Sequence, residues 1–172
     1  MLSPDRLFDP ELAHRRLARQ LYQRVVHLPI VSPHGHVEAS LFEEPELSFG
    51  SPVELLILHD HYIYRMLYSQ GVMPSPLMPG HQEEGIGSQR KIWQAFVDSF
   101  HLFRGTPSGL WIRHELEDVF GVEKALITEN AQAIYDQVDD CLQRPEFRPR
   151  ALFERFNIQV LCTTDTATDP LN

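Results

Sequence analysis

At 172 residues, with 42% hydrophobic and 23% charged side chains, the chain has the balance of one ordinary soluble domain, not of a fibre or a disordered tail. A formal net charge of −9 argues against a nucleic-acid partner, which draws on a basic face. No apolar run approaches the ~20 residues that cross a bilayer, so no membrane partner is expected.

Met1-Leu2-Ser3-Pro4-Asp5-Arg6 shows no basic stretch leading into an apolar one, so a cytoplasmic location is expected. The first helix signal follows at once. Asp9 is a capping residue, Pro10 suits the first helical position, and Glu11 adds charge near the start. Leu12, Leu17, Leu21 and Val25 then form one apolar stripe, with Arg15, Arg16 and Arg19 on a solvated face. Pro29 ends the helix, and residues 29–32 read as a brief buried strand. Ser32-Pro33-His34-Gly35-His36 comes directly after the β-branched pair Ile30-Val31.

Ser51-Pro52-Val53-Glu54 is a capping box that predicts a helix to about Ser69, with Leu55, Leu58, Tyr62 and Met66 on one side. Gly71 stops it. Residues 73–87 hold three Pro and three Gly without a period and read as a long loop, a lid or a subunit contact. Ser88 opens a helical pattern carrying Ile92, Phe96 and Phe100, broken by Phe103-Arg104-Gly105-Thr106-Pro107. A helix from near Thr106 carries Leu110, Trp111 and Leu116 up to Gly121. Thr128 starts the next, with Ile134, Val138 and Cys141 inward. Pro149 starts a short helix through Phe156, and residues 158–163 form a buried strand ending in Thr163-Thr164-Asp165. Cys141 and Cys162 lack any metal-binding spacing and are expected to be reduced, buried thiols. Two short strands do not make an independently stable sheet. Either the domain is mostly helical, or both strands belong to a larger parallel sheet, where chemistry gathers at the C-terminal strand ends.

Three constellations carry chemistry. In extended chain, residues i and i+2 face the same way, so His34 and His36 can offer two imidazoles to one divalent metal, with Gly35 leaving the space between them clear. Surface or helix-capping histidines are the plain alternative, and no third ligand is evident. The second cluster is His59-Asp60-His61-Tyr62 followed by Arg65. Tyr62 suits either the core or a proton relay to a substrate oxygen. His61 and Arg65, one turn apart, suit a carboxylate or a solvated face. The third cluster, Thr163-Thr164-Asp165 with Asp169, can bind a polyol, orient a metal-ligand histidine, or simply turn the chain. Arg113-His114-Glu115 lacks the His-Glu-x-x-His spacing of a zinc protease.

Taken in order, four segments resemble the uronate isomerases (glucuronate isomerases). They are Leu28 to His36, Asp60-His61-Tyr62 with Arg65, Phe103 to Pro107, and Arg155-Phe156-Asn157 leading into Leu161-Cys162-Thr163-Thr164-Asp165. The resemblance implies an α/β fold of the amidohydrolase superfamily, namely the N-terminal part of a distorted (β/α)8 barrel. It would be mostly helical here because of a large helical insertion between the first two strands. Residues 1–36 would be the first helix and strand, 37–156 the insertion, and 157–172 the second strand and following loop. The implied reaction interconverts D-glucuronate with D-fructuronate and D-galacturonate with D-tagaturonate, so the partner is a uronate sugar acid.

His34 and His36 would be metal ligands, with zinc as the expected divalent cation. Tyr62 and His61 would be catalytic, and His61, Arg65, Thr163 and Asp165 are the substrate-binding candidates. Many members carry Asp-Tyr-His-Cys-His where this chain has Ser32-Pro33-His34-Gly35-His36, a change that spares both histidines. The family's later metal-ligand histidine, catalytic aspartate and substrate-binding arginines fall past Asn172. The 172 residues are therefore expected to be an incomplete barrel, inactive alone, associating as a homo-oligomer or with the missing barrel portion. The alternatives are a metal-dependent hydrolase of the same superfamily and a non-catalytic helical interaction domain.

Overall fold

The computed structural model describes residues 2–71, 86–165 and 168. Most of the expected 73–87 loop, and Asp169, lie outside them. The chain divides into two compact units, Met1–Ser48 with Pro145–Asn172, and Phe49–Arg144. Among the described residues no helix is long and apolar enough to cross a membrane.

In the first unit, helix α1 spans Leu12–Val25. Its cap is Glu11, not the expected Asp9: the Glu11 carboxylate accepts from the amides of Ala13 and His14. Asp9 is already engaged one step earlier, accepting from the Glu11 amide at 2.8 Å. The apolar stripe exists but buries nothing; Leu21 is 61% exposed. On the helix's polar side Arg19 donates to Asp5 at 2.7 Å, and that bond holds the Asp5 carboxyl below its ordinary range.

Strand β1 runs Ile30–Gly35, longer than expected, so His34 lies within it. Strand β2 spans Ile158–Thr163, as the pattern predicts. The two pair in parallel, with Ile30 opposite Ile158, Val31 opposite Val160 and Gly35 opposite Thr163. A break in register falls between Ser32 and Gly35. Gly35 is there because the strands run close: a Cβ would meet Leu161 Cδ1 at 3.0 Å and the Cys162 carbonyl oxygen at 3.3 Å. Asn157, at φ 53°, takes the left-handed conformation that asparagine tolerates and turns the chain from helix α6, Pro149–Arg155, into β2.

Neither strand is buried as expected. Val31 is 59% exposed, Ile30 and Val160 are also open, and Cys162 is an exposed free thiol while Cys141 is buried. Parallel strands are buried only when both faces of their sheet are covered, and here α6 packs beside β2 without covering the pair. Around α6, Arg150 donates to the carbonyls of Phe42 and Glu43, and Phe42 meets Phe153 at 5.8 Å.

The second unit holds an aromatic and aliphatic core. Ser51 and Glu54 form a reciprocal capping box, at 2.7 and 3.2 Å. The single helix expected to run to Ser69 is broken, however. A π-helical turn occupies Glu54–Leu58, and α2 begins anew at His61–Ser69. Asp60 causes the restart by accepting from the amides of Tyr62 and Ile63. The buried face becomes Leu56, Ile57, Ile63 and Leu67, and Tyr62 is 60% exposed instead of sharing an inward stripe.

Helix α3, Ile86–Asp98, starts two residues before the expected Ser88. It packs on α5, Ala131–Leu142, whose Ile134, Val138 and Cys141 point inward as predicted. Trp93 is fully buried between them, and its indole donates to the Ala131 carbonyl at 2.8 Å. Thr106 caps α4, Pro107–His114, by accepting from the Gly109 amide. A second π-helical turn, Glu115–Val119, follows directly. Ile112 and Leu116 face the core, whereas Trp111, expected inside, is 54% exposed.

Candidate metal centre

The C-terminal end of β1 brings two imidazoles together. His34 Nε2 and His36 Nε2 lie 3.1 Å apart, with ring centroids at 4.8 Å and planes nearly perpendicular. This is the same-side arrangement that the i, i+2 spacing predicts. Two nitrogens each at about 2.0–2.1 Å from one tetrahedral zinc stand roughly 3.3 Å apart, so the pair fits a shared divalent ion. Ser32 steadies the segment, its hydroxyl donating to the His34 carbonyl at 3.0 Å. Just past the end of β2, Thr164 Oγ1 lies 3.2 Å from His36 Nδ1. Among the described residues no group of three His, Cys, Asp or Glu side chains forms a fuller metal site.

Of the polar groups at the end of β2, Thr163 and Thr164 part company. Thr163 lines a cavity of about 510 Å³ with Ala39, Phe42, Arg150, Phe153, Glu154 and Leu161. Thr164 reaches His36. Alternation along extended chain accounts for the split. Asp165 stands exposed one residue on. The sequence offered the whole Thr-Thr-Asp run without distinguishing its members, because the distinction depends on which strand pairs with β2.

In the second unit, Asp60 is occupied as a helix cap, and this fixes the first turn of α2. His61 and Tyr62 are both exposed there with their rings side by side, centroids 4.1 Å apart. Arg65, also exposed, follows one turn later. Sequence reasoning missed Glu115, at the start of the second π-helical turn. Burial pushes its carboxyl up to about 7, with a further upward contribution from the negative charge of Asp60. The Arg113-His114-Glu115 run gave no sign of this, since burial is not a local property.

Glu115 makes stability depend on pH. Its folded pKa of about 7 exceeds the ordinary 4.5. The folded state therefore holds this proton more tightly, and the contribution of Glu115 to stability is greatest below about 4.5 and falls as pH rises towards 7. A shift of that size corresponds to about 3 kcal/mol, and partial solvent access reduces it to about 2. Glu115→Gln is expected to flatten this dependence between pH 5 and 8, measured by urea unfolding. Parallel pH profiles for the two proteins would contradict the assignment.

A sequence profile of glucuronate isomerases matches residues 7–172. A uronate isomerase of Nostoc punctiforme is 54% identical over 172 residues, which cover 99% of this chain and 36% of that protein. One from Rhizobium meliloti is 46% identical, covering 99% of this chain and 37% of its own length. Among solved structures, a glucuronate isomerase from Caulobacter crescentus superposes with a TM-score of 0.88 at 42% identity, over 96% of this chain and 34% of that one. A uronate isomerase from Thermotoga maritima gives 0.80 at 28% identity over the same shares. The chain thus spans about a third of the length of the relatives it matches. Over that span, the 172 residues belong to the glucuronate isomerase family.

Proposed function

We infer that these residues are the N-terminal section of a uronate isomerase barrel of amidohydrolase type, with His34 and His36 as two ligands of a divalent cation, zinc being the expected one. The observation that carries this reading is the convergence of the two Nε2 atoms to 3.1 Å at the end of a parallel strand, in a chain of this family. A catalytic metal takes at least three protein ligands. The others are assigned to the family length that this chain does not span.

The reaction is an aldose–ketose isomerisation of an open-chain uronate such as D-glucuronate or D-galacturonate. A proton leaves the carbon beside the carbonyl, negative charge builds on oxygen, and the proton returns to the neighbouring carbon. A bound divalent cation stabilises such charge as a Lewis acid. The exposure of His61 and Tyr62 at the capped start of α2 supports a role for both towards the sugar acid. Tyr62 shares the hydroxyl proton, and His61 donates to a substrate oxygen. Arg65 offers its guanidinium to the carboxylate. Thr163, on the wall of a cavity, and the exposed Asp165 suit sugar hydroxyls. The open strands and the bare stripe of α1 support association with the rest of the barrel. A cytoplasmic location suits an enzyme of sugar-acid metabolism.

The test is conversion of D-glucuronate to D-fructuronate by the chain alone and by the chain co-expressed with the remaining two-thirds of the Nostoc relative. Turnover is expected only in the second case. Robust turnover by the 172 residues alone would overturn the incomplete-site reading. Hydrolysis of lactones or amides without isomerisation would overturn the uronate assignment.

A further inference from the structure

We propose that Asp60 is a positioning residue: by capping α2 it sets the helix phase that keeps His61 and Tyr62 open to a sugar acid and gives the buried place to Ile63. The proposal rests on the uronate reading above, in which those two rings meet the substrate. Asp60 is the joint between two helical segments. Its amide donates to the Ile57 carbonyl at 3.3 Å, and its own carbonyl accepts from the Tyr64 amide at 3.0 Å. Between them its backbone is extended, at φ −93° and ψ 99°. Its carboxylate accepts from the amides of Tyr62 at 2.8 Å and Ile63 at 3.2 Å.

Burial shows what that joint decides. Ile57, Ile63 and Leu67 are all fully buried. In one unbroken helix the step from Ile57 to Ile63 turns roughly 240° past a full circle, so the two would face different sides. The unbroken face would instead carry Leu55, Leu58, Tyr62 and Met66, with the Tyr62 ring in the core. The extended residue at 60 removes that register. Ile63 enters the core, while His61 and Tyr62 stay outside with ring centroids 4.1 Å apart. Displacing a group that acts on substrate by about 1 Å costs on the order of 100-fold in rate, so the phase of this one turn bears on the chemistry.

The experiment compares wild type with Asp60→Ala, Asp60→Asn and Asp60→Ser, the last two being residues that also cap helices. In the full 172-residue chain, NMR reads amide exchange at Tyr62 and Ile63 and the ring-current shift between His61 and Tyr62. Asp60→Ala is expected to speed exchange of the two amides about fivefold and to lose the ring-current shift, while the two capping variants stay within about twofold of wild type. Turnover of D-glucuronate is then measured on each chain co-expressed with the remaining two-thirds of the Nostoc relative. There Asp60→Ala is expected to lower kcat about 10-fold with KM changed less than about threefold, and Asp60→Asn and Asp60→Ser to restore it. Rescue by both separates positioning from a general loss of fold. Wild-type exchange and ring shifts in Asp60→Ala would overturn the proposal, as would their loss with kcat unchanged. An equal fall in kcat in Asp60→Asn and Asp60→Ala, with the ring shift kept in the first, would also overturn it by making the carboxylate itself a reacting group. If the wild-type complex turns over no uronate, the functional reading fails, and exchange at Tyr62 and Ile63 still decides whether Asp60 sets the phase.

Discussion

Replacing His34 or His36 with alanine is expected to lower zinc affinity by more than about 100-fold, beyond the range seen on removing an outer-sphere partner. Each imidazole supplies half of the nitrogen pair whose Nε2 atoms stand 3.1 Å apart. Loss of either leaves one ligand, and among the described residues no cluster of three metal-binding side chains can take over. Titration of each variant against a chromophoric chelator gives the ratio directly. Affinity within about threefold of wild type in both variants would mean that zinc binds elsewhere or not at all, and that the 3.1 Å approach is a hydrogen bond between two imidazoles.

Trp93→Ala is expected to destabilise the second unit by about 3–5 kcal/mol. Trp93 is the largest fully buried side chain and meets Phe96 and Tyr135 at 5.7 and 6.0 Å. Its removal leaves a cavity between α3 and α5 and deprives the Ala131 carbonyl of its donor. Trp93→Phe fills part of the cavity but restores no N–H, so an intermediate loss is expected. Urea unfolding followed by far-ultraviolet circular dichroism measures both. A loss below about 1 kcal/mol for the alanine variant would show that α3 and α5 are not held together there.

Several features made by short-range hydrogen bonds were legible in the sequence, although the caps at Glu11 and Asp60 were not. The Ser51–Glu54 box, the Thr106 cap and the stop at Gly71, with φ 72°, all form as their residue types dictate. The histidine pair was legible for a similar reason, since alternation along extended chain needs no distant partner. Helix faces were not. Each π-helical turn closes i to i+5 and so inserts about one residue, rotating everything after it by roughly 100°. That phase slip at Glu54–Leu58, followed by the restart at Asp60, accompanies the exposure of Tyr62 while Ile63 faces inward; Trp111 precedes the second π-helical turn, which does not account for its exposure. Strand burial was misjudged for another reason. Ile30 and Val31 have the composition of covered parallel strands, but composition does not say whether the covering layers are present. The approach of Thr164 to His36 depends on a pairing between distant segments, which no local pattern contains.

The parallel pairing of β1 with β2 also governs the order of events during synthesis. Thr164 and His36 are 128 positions apart along the chain. At about 5–20 residues per second, the ribosome takes roughly 6–25 s to deliver the second after the first. Throughout that interval β1 has left the tunnel with no strand to join, whereas the helices of Phe49–Arg144 emerge in sequence and find their neighbours within the same stretch. Phe49–Arg144 can therefore find its internal contacts before β1 and β2 pair, and the contact between Thr164 and His36 waits for that pairing.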